Sequence, residues 1–241
     1  MIRIEGLTKR FGATLAVDRL DLDVGAGEFF CFLGPNGAGK TTTIKLLVGL
    51  LRPTAGRAAI AGHDVATEPI EAKRLLGYIP DQPYLYERLT GWEFMTLVAG
   101  LYRLDGGGLE TQIAQMLATF GVADVAHHLI GDLSHGTRQK LAFAATFLHE
   151  PKLVVVDEPW VGLDPRSIRQ VKRHLKERTR SGTTVFMSTH TLSIAEEVAD
   201  RIGIIHQGRL LALGRVDEIK ALASQPGSLE DVFLELTQEE A

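Results

Sequence analysis

The chain has 241 residues, with 26 lysines and arginines against 30 aspartates and glutamates, so its formal net charge is −4. Hydrophobic residues make up 45% and charged residues 23%, which is typical of a globular protein and excludes a disordered or collagen-like chain. The mild acidity argues against a protein that coats nucleic acid, because such proteins carry a strongly basic surface.

The sequence contains one cysteine, Cys31, which cannot form an internal disulfide. It lies in an apolar run, and this context favours a small buried core residue. The chain opens without the pattern of a signal peptide, and no stretch approaches the ~18 apolar residues of a membrane span. We therefore expect a protein that is soluble by itself and works in the cytoplasm.

The N-terminal third of the sequence has the pattern of strands. Residues 2–5 and 20–24 alternate apolar and polar side chains, which is the period of a half-buried strand. Residues 29–33 form a continuous apolar run, which predicts a strand covered on both faces. This run leads directly into a glycine-rich turn, and residues 40–47 after the turn are predicted to form a helix.

From about residue 84 to residue 150 the sequence changes to helical spacing. The segments 92–101, 109–120 and 137–149 are predicted to be helices. We interpret this region as a helical lobe that is inserted into an α/β core.

The core resumes with two short apolar runs, residues 153–156 and 184–187, which predict buried strands. Residues 168–178 between them predict a charged crossover helix. Strand, helix and strand in that order indicate an α/β fold with a parallel sheet and helices on both faces.

Residues 34–41 match the phosphate-binding loop pattern Gly-x4-Gly-Lys-Thr in full. Glycines let the backbone curl so that its N–H groups face the phosphates, and the following helix directs its N-terminus at the same anion. Lys40 supplies a charge to the β and γ phosphates, and the Thr41 hydroxyl is a ligand for Mg²⁺. The predicted nucleotide-binding residues here are Gly34, Pro35, Asn36, Gly37, Ala38, Gly39, Lys40, Thr41 and Thr42.

An acidic pair, Asp157 and Glu158, ends the apolar run at 153–156. The carboxyl end of a parallel strand is where such sheets place ligand chemistry. We expect Asp157 to hold Mg²⁺ through water and Glu158 to polarise an attacking water molecule.

The nucleotide is predicted to be ATP. GTPases with this loop read guanine with an Asn-Lys-x-Asp motif, and the one asparagine of the chain, Asn36, already lies inside the loop. Aromatic stacking then replaces base-specific hydrogen bonds, and Phe11 is the candidate ring.

Taken in order, these motifs resemble the ATP-binding subunit of an ABC transporter of the efflux-type branch, from residue 2 to about residue 213. The matching positions are Phe11 for the adenine-stacking aromatic, residues 34–41 for the phosphate loop, Gln82 for the glutamine that links Mg²⁺ and water to the lobe, residues 133–137 for the signature, Asp157 and Glu158 for the magnesium and general-base acids, residues 162–164 for the D-loop, and His190 for the γ-phosphate switch. The resemblance implies a P-loop NTPase, RecA-like core with an N-terminal antiparallel β subdomain and the inserted lobe. It assigns residues 1–220 to the cassette.

The resemblance also implies how such a chain works. Two subunits pair head to tail around two ATP molecules, and each site combines the loop, Gln82, the acidic pair and His190 of one chain with Ser134 and Gly136 of the other. Asp164 of the D-loop is also expected at the nucleotide. ATP reaches both chains through its γ-phosphate and favours the closed dimer, and hydrolysis reopens it.

A separate transmembrane permease would supply the membrane spans, which places the subunit at the cytoplasmic face of the membrane. The start of the lobe, including Tyr84 and Tyr86, is the expected docking surface. The remaining residues, 221–241, are predicted to be a short helical tail, in which Ser228 and Asp231 form a capping box.

Two positions depart from the usual Leu-Ser-Gly-Gly-Gln signature, since His135 and Thr137 replace a glycine and the glutamine. If the backbone needs a positive φ at His135, the side chain adds strain of ~1–2 kcal/mol. We expect His135 to add a hydrogen bond to nucleotide at the dimer seam. Trp160 stands where a small or hydroxylic residue is usual, and we expect it to pack in the core or at the seam.

Two other classes fit parts of the sequence. A soluble ABC ATPase that acts on nucleic acid or ribosomes usually fuses two cassettes or carries long insertions, whereas this chain has one cassette and no basic arm, so no nucleic acid partner is expected. A catalytically dead cassette is disfavoured because Lys40, Glu158 and His190 are all present.

Overall fold

The computed structural model describes residues 1–104, 106–160, 162–222 and 228–238. Within these ranges the strands are β1 (Ile2–Phe11), β2 (Thr14–Val24), β3 (Phe29–Leu33), β4 (Ala55–Ile60), β5 (His63–Asp64), β6 (Leu76–Ile79), β7 (Leu153–Asp157), β8 (Thr184–Thr189), β9 (Arg201–His206) and β10 (Arg209–Arg215). The α-helices are α1 (Lys40–Leu47), α2 (Pro69–Arg74), α3 (Gly91–Leu101), α4 (Leu109–Thr119), α5 (His135–Phe147), α6 (Pro165–Arg180), α7 (Leu192–Val198), α8 (Val216–Lys220) and α9 (Leu229–Gln238). Two short 3-10 turns precede α5.

The N-terminal strands form an antiparallel sheet in the order β2-β1-β4-β5. Strand β1 pairs with β2 along its whole length, from Ile2 opposite Val24 to Phe11 opposite Thr14. The hairpin turns at Gly12, whose φ of 56° is in the left-handed region that glycine adopts without cost. This sheet confirms the predicted antiparallel β subdomain.

The second sheet has the order β10-β9-β3-β8-β7-β6. Strands β9, β3, β8, β7 and β6 run parallel, and β10 adds an antiparallel edge to β9. Because β3 and β7 both end at the carboxyl edge of this sheet, the phosphate loop after β3 and the acidic pair at the end of β7 face the same side. The mixed α/β fold is therefore as predicted.

Strand β3 is buried on both faces, and its side chains divide between two cores. Phe29, Cys31 and Leu33 pack with the helical lobe and α6 on one face. Phe30 and Phe32 pack with α1 and the antiparallel sheet on the other face. Each fully buried side chain of this size stabilises the fold by about 1.5–3 kcal/mol. Burial also raises the pKa of the Cys31 thiol, as expected for a structural cysteine.

The helices of the lobe lie between β6 and β7 in the chain, and their caps set where they begin. Helix α5 begins two residues before the prediction because the Ser134 hydroxyl accepts a hydrogen bond from the Thr137 N–H at 3.2 Å. Helix α6 likewise extends beyond the predicted range of 168–178, since Asp164 caps it and Pro165 occupies its first turn.

The C-terminal helix α9 begins with the predicted capping box. The backbone N–H of Ser228 donates to Asp231 Oδ2 at 2.7 Å, and the Asp231 N–H donates to Ser228 Oγ at 3.3 Å. Leu229 and Val232 of α9 are buried. Residues 223–227 and 239–241 of the predicted tail lie outside the described residues. Within the described ranges, no helix combines the length and the apolar character needed to cross a bilayer.

Candidate active site

The phosphate loop connects β3 to α1 and depends on its glycines. Gly37 and Gly39 have φ angles of 81° and 108°, which side chains rarely adopt. A Cβ atom at Gly39 would lie 2.5 Å from the Ala16 carbonyl oxygen, and one at Gly34 would lie 2.4 Å from the Ile205 carbonyl oxygen. Backbone packing against β2 and β9 therefore holds the loop curled around the N-terminus of α1.

Lys40 is the first residue of α1 and its side chain is buried under the loop. Its ammonium group donates to the carbonyl oxygens of Gly34 at 2.7 Å and Pro35 at 3.1 Å, and lies 3.7 Å from Glu158 Oε1. Burial lowers the pKa of Lys40, and the nearby carboxylates of Glu158 and Asp157 oppose that shift. A cation is thus held inside the anion-binding loop.

Asp157 lies fully buried at the end of β7. Its Oδ1 accepts a hydrogen bond from the Ser188 hydroxyl. Burial raises the pKa of Asp157, whereas interactions with the hydroxyls of Ser188 and Thr41 oppose that shift. Its second oxygen, Oδ2, is buried with no hydrogen-bond partner in the described part of the chain.

Glu158 has a φ of 45°, a left-handed conformation that costs a non-glycine residue about 1–3 kcal/mol. Its Oε2 lies 3.0 Å from His190 Nδ1, and its Oε1 faces Lys40 without a hydrogen-bond partner among the described residues. The carboxylate therefore stands between the loop lysine and the predicted switch histidine, and its Oε1 is buried without a hydrogen-bond partner among the described residues.

The residues present fit a magnesium ion that is bound together with a nucleotide. Among the described residues, no group of three or more His, Cys, Asp and Glu could hold a metal by itself. Mg²⁺ is usually held by one or two protein oxygens plus substrate phosphates and water. The hydroxyl of Thr41, which interacts with the Asp157 carboxylate, and the unpartnered Oδ2 of Asp157 offer such a pair of oxygens.

Phe11 and Gln82 lie at the surface. Phe11 ends β1 with 47% of its surface exposed, and the Lys9 ammonium lies 5.0 Å from its ring centroid. Gln82 lies between β6 and α3, where its backbone N–H donates to Asp81 Oδ1 at 2.8 Å. Within the described ranges, no hydrogen bond joins the Gln82 amide to Asp157 or Glu158. The structure thus leaves Phe11 open for stacking, and the role of Gln82 stays a prediction.

The remaining predicted residues lie at two helix N-termini, and no hydrogen bond within the described residues joins them to the phosphate loop of the same chain. Ser134 caps α5, and Gly136 lies in its first turn. The Asp164 carboxylate accepts from the N–H groups of Arg166 at 2.9 Å and Ser167 at 3.0 Å. Hydrogen bonds from Ser167 lower the pKa of Asp164 to about 2. The carboxylate of Asp164 is therefore engaged in capping α6.

His135 does not have the positive φ angle that would have strained its backbone. It is the first residue of α5 and is absent from the positive-φ residues of the described chain, so its side chain has no conformational cost there. Its ring packs against the D-loop: a Cβ atom at Gly162 would lie 2.5 Å from His135 Nδ1. Trp160 is 9% exposed and belongs to the core, as expected.

Ser188 is a site residue that the sequence analysis did not single out. Its hydroxyl donates to Asp157, and its carbonyl oxygen accepts from the Glu158 N–H at 3.2 Å. Pairing the two predicted strands would have indicated Ser188, because parallel pairing of β7 with β8 places Asp157 opposite Ser188. Any polar residue at the end of the strand next to β7 was a candidate for orienting the acids.

The sequence matches the family model described as "ABC transporter" over residues 17–161, and a second model, described as "AAA domain, putative AbiEii toxin, Type IV TA system", over residues 127–196. It is 38% identical over 240 residues to the probable multidrug ABC transporter ATP-binding protein YbhF of Escherichia coli, covering 98% of this chain and 41% of that protein. It is 40% identical over 220 residues to the daunorubicin/doxorubicin resistance ATP-binding protein DrrA of Streptomyces peucetius, covering 91% and 67%. The chain thus spans about two fifths of the length of YbhF.

Two solved structures are similar over most of both chains. One is described as the ATP binding subunit of an ABC transporter, with a TM-score of 0.92, 33% identity, and coverage of 98% of this chain and 99% of the other. The other is a dimeric ATP-binding cassette in a post-hydrolysis state bound to ADP and Pi, with a TM-score of 0.81, 25% identity, and coverage of 89% and 98%. The chain therefore belongs to the family of ABC transporter ATP-binding subunits.

Proposed function

We propose that the chain binds and hydrolyses ATP to power an ABC transporter, and that it acts as an exporter subunit. One observation carries the proposal: the carboxylate of Glu158 lies between Lys40 of the phosphate loop and His190, 3.7 Å from the one and 3.0 Å from the other. A positioned carboxylate, a cation and an imidazole beside an anion-binding loop are the parts that hydrolysis of a phosphoanhydride requires.

In the proposed site each residue of this chain has a separate task. The loop N–H groups and Lys40 bind the phosphates, and Phe11 stacks on the adenine. Glu158 accepts the proton of the attacking water, and His190 orients Glu158 and contacts the γ-phosphate. Bound Mg²⁺, held by Thr41 and Asp157, would neutralise charge on the β and γ phosphates. Gln82 would contribute to this ion site from the side of the lobe.

We propose that residues 1–220 form the cassette, with the lobe at about 84–150, and that 221–241 form a tail. The N-terminus of α5, with Ser134 and Gly136, would meet the nucleotide held by a second subunit. This accounts for a capped helix terminus that no hydrogen bond among the described residues joins to the loop of its own chain. It is also consistent with the dimeric cassette among the similar structures.

ATP would then close the dimer by a population shift. Moving such an equilibrium from mostly open to mostly closed requires about 5.5 kcal/mol of differential binding. Hydrogen bonds to charged groups contribute ~1.5–3 kcal/mol each, so a few contacts from the γ-phosphate to the second subunit suffice. Hydrolysis removes those contacts and favours reopening.

The proposed partner is a separate transmembrane permease, which places the subunit at the cytoplasmic face of the membrane. The names of YbhF and DrrA, a probable multidrug protein and a drug resistance protein, support export. Tyr84, Tyr86 and Leu101 of the lobe are exposed, at 86%, 64% and 72%, and offer an apolar docking surface.

Two measurements test the proposal. Purified protein should release phosphate from ATP when Mg²⁺ is present, and this release should stop when the ion is chelated. Affinity capture from detergent-solubilised membranes should recover a protein with several membrane spans. Absence of ATP hydrolysis would refute the enzymatic part, and recovery of ribosomal proteins or nucleic acid would instead support a soluble ABC ATPase.

A further inference from the structure

The candidate switch His190 lies between the end of β8 at Thr189 and helix α7 (Leu192–Val198), which begins two residues after it. His190 itself is 58% exposed, so packing around its ring does little to fix it. Its Nδ1 nevertheless lies 3.0 Å from Glu158 Oε2. The backbone of His190 is held by β8 on one side and by α7 on the other, so a shift of α7 would move the imidazole.

Helix α7 cannot fix its own position. It has seven residues, which is about 10 Å of helix, and helices this short are not stable in isolation. Its N-cap residue, Thr191, makes no side-chain capping hydrogen bond. Contacts with neighbouring elements must therefore decide its orientation.

Glu196 provides such contacts on the side of the C-terminus. Its Oε1 accepts a hydrogen bond from the N–H of Leu229, the first residue of α9, at 3.2 Å. The same oxygen lies 3.1 Å from the ammonium of Lys220 at the end of α8. One carboxylate oxygen thus ties α7 to both α8 and α9, beside the buried side chains of Leu229 and Val232.

Helix α6 holds the neighbouring residue of α7 from another direction. Lys172 forms an ion pair with the Glu197 carboxylate, and the Lys176 ammonium donates to the Glu197 carbonyl oxygen. Helix α7 is therefore held by charged groups near its C-terminal end, while His190 lies beyond its N-terminal end. A tilt about that anchored end would displace the imidazole from Glu158.

We propose that Glu196 is a positioning residue for hydrolysis: together with the tail helix α9 it orients α7 so that His190 stays within reach of Glu158. The inference rests on the proposed function, because it assumes that His190 and Glu158 act in ATP hydrolysis. Misplacement of a reacting group by about 1 Å can cost ~10²-fold in rate. Loss of Glu196 should therefore lower kcat and leave the phosphate loop, and with it ATP binding, unchanged.

The test compares Glu196→Ala with Glu230→Ala in the full chain. Glu230 is also a glutamate, but it is exposed on α9. Steady-state hydrolysis and ATP binding are measured for both variants. We expect Glu196→Ala to lower kcat about tenfold with KM and ATP affinity within twofold of wild type, and Glu230→Ala to match wild type. Equal kcat in Glu196→Ala and wild type would overturn the inference.

A double-mutant cycle separates positioning from general destabilisation. If Glu196 acts through His190, then Glu196→Ala should cause no further loss in a His190→Ala background, measured in single-turnover assays with excess enzyme. Multiplicative losses would contradict the inference. If His190→Ala turns over too slowly to measure, the imidazole resonances of His190 in ¹³C-histidine-labelled protein should shift in Glu196→Ala and not in Glu230→Ala. Unchanged resonances would equally contradict it.

Should Glu196→Ala fail to fold, as judged by thermal unfolding, Lys220→Met carries the test, because it removes the ion pair from the opposite side. The same kcat-specific loss is expected, and an unchanged kcat would overturn the inference. A wild-type protein that does not hydrolyse ATP would refute the proposed function. If wild type hydrolyses ATP and the Glu196 and Lys220 variants have the same kcat as wild type, this inference is refuted while the proposed function stands.

Discussion

At the residue scale, the Lys40 side chain is buried beneath the phosphate loop, since it is 6% exposed and its ammonium donates to two loop carbonyl oxygens. Lys40→Ala removes a charge-assisted contact worth ~1.5–3 kcal/mol, which corresponds to a loss of ATP affinity of about 10- to 100-fold. Isothermal titration with ATP measures it. Lys45→Ala, a change on the exposed part of the same helix, is the control and should bind as wild type does. Tight ATP binding by Lys40→Ala would contradict the assignment of the loop.

Glu158 supports a prediction that separates binding from chemistry. Glu158→Gln keeps the shape of the side chain but cannot accept a proton, so hydrolysis should fall by about 10²–10⁴. The change also removes a negative charge near the phosphates, so ATP affinity should be equal or higher. Phosphate release and nucleotide binding are measured on the same preparation. Turnover within twofold of wild type would exclude Glu158 as the base.

Sequence alone could predict the residues whose chemistry is tied to a motif. The phosphate loop and the acidic pair follow from spacing, and the resemblance placed His190, which lies within hydrogen-bond distance of Glu158. Ser188 could be found only from strand pairing, because a serine in a strand has no distinctive pattern. The surface position of Gln82 depends on the conformation of a loop, which local sequence does not determine.

At the scale of elements, patterns of apolar residues predicted the helices. The observed helices begin at different residues from the predicted ones because capping residues determine where they start. The prediction for α5 began at residue 137, whereas the helix begins at His135, because the cap at Ser134 extends the first turn over residues that are not apolar. Pro165 was likewise left out of the predicted α6, although proline is favoured in a first turn. Apolar periodicity marks the buried middle of a helix better than its ends.

Helix α6 contains a partly buried histidine, His174, from which we predict how the stability of the fold depends on pH. The His174 ring packs edge-on against Phe120 and Phe147, at 4.9 and 4.6 Å between centroids, and burial together with nearby Arg178 lowers its pKa to about 4. The folded state thus binds fewer protons than the unfolded chain between the ordinary pKa of 6.5 and about 4, so stability falls as pH falls through this window. His174→Leu should reduce that fall.

Urea unfolding at pH 7 and pH 5 measures this dependence. Wild type should lose more stability between the two values than His174→Leu does, and His128→Gln, a change at an exposed histidine, should behave as wild type. Identical losses in wild type and His174→Leu would show that His174 is not held neutral by its packing.

At the scale of the whole molecule, the parallel sheet brings the loop and the acids to one edge, while the capped N-terminus of α5 forms no hydrogen bond to the loop among the described residues. The order of the motifs predicted this architecture because it resembles that of one protein family. The periodicity of apolar residues alone indicated only an α/β fold with an inserted lobe. Strand order across the sheet is a matter of long-range pairing, which local patterns do not contain.

The capped N-terminus of α5, which forms no hydrogen bond to the loop among the described residues, leads to the central prediction that two subunits complete each nucleotide site. Glu158→Gln is the variant to use, since it should hold ATP without cleaving it. Its mass in solution is measured by light scattering with ATP and Mg²⁺, with ADP and Mg²⁺, and without nucleotide. The predicted result is a dimer with ATP and a monomer in the other two conditions. A monomer in the presence of saturating ATP would contradict the proposal that two copies close around the nucleotide.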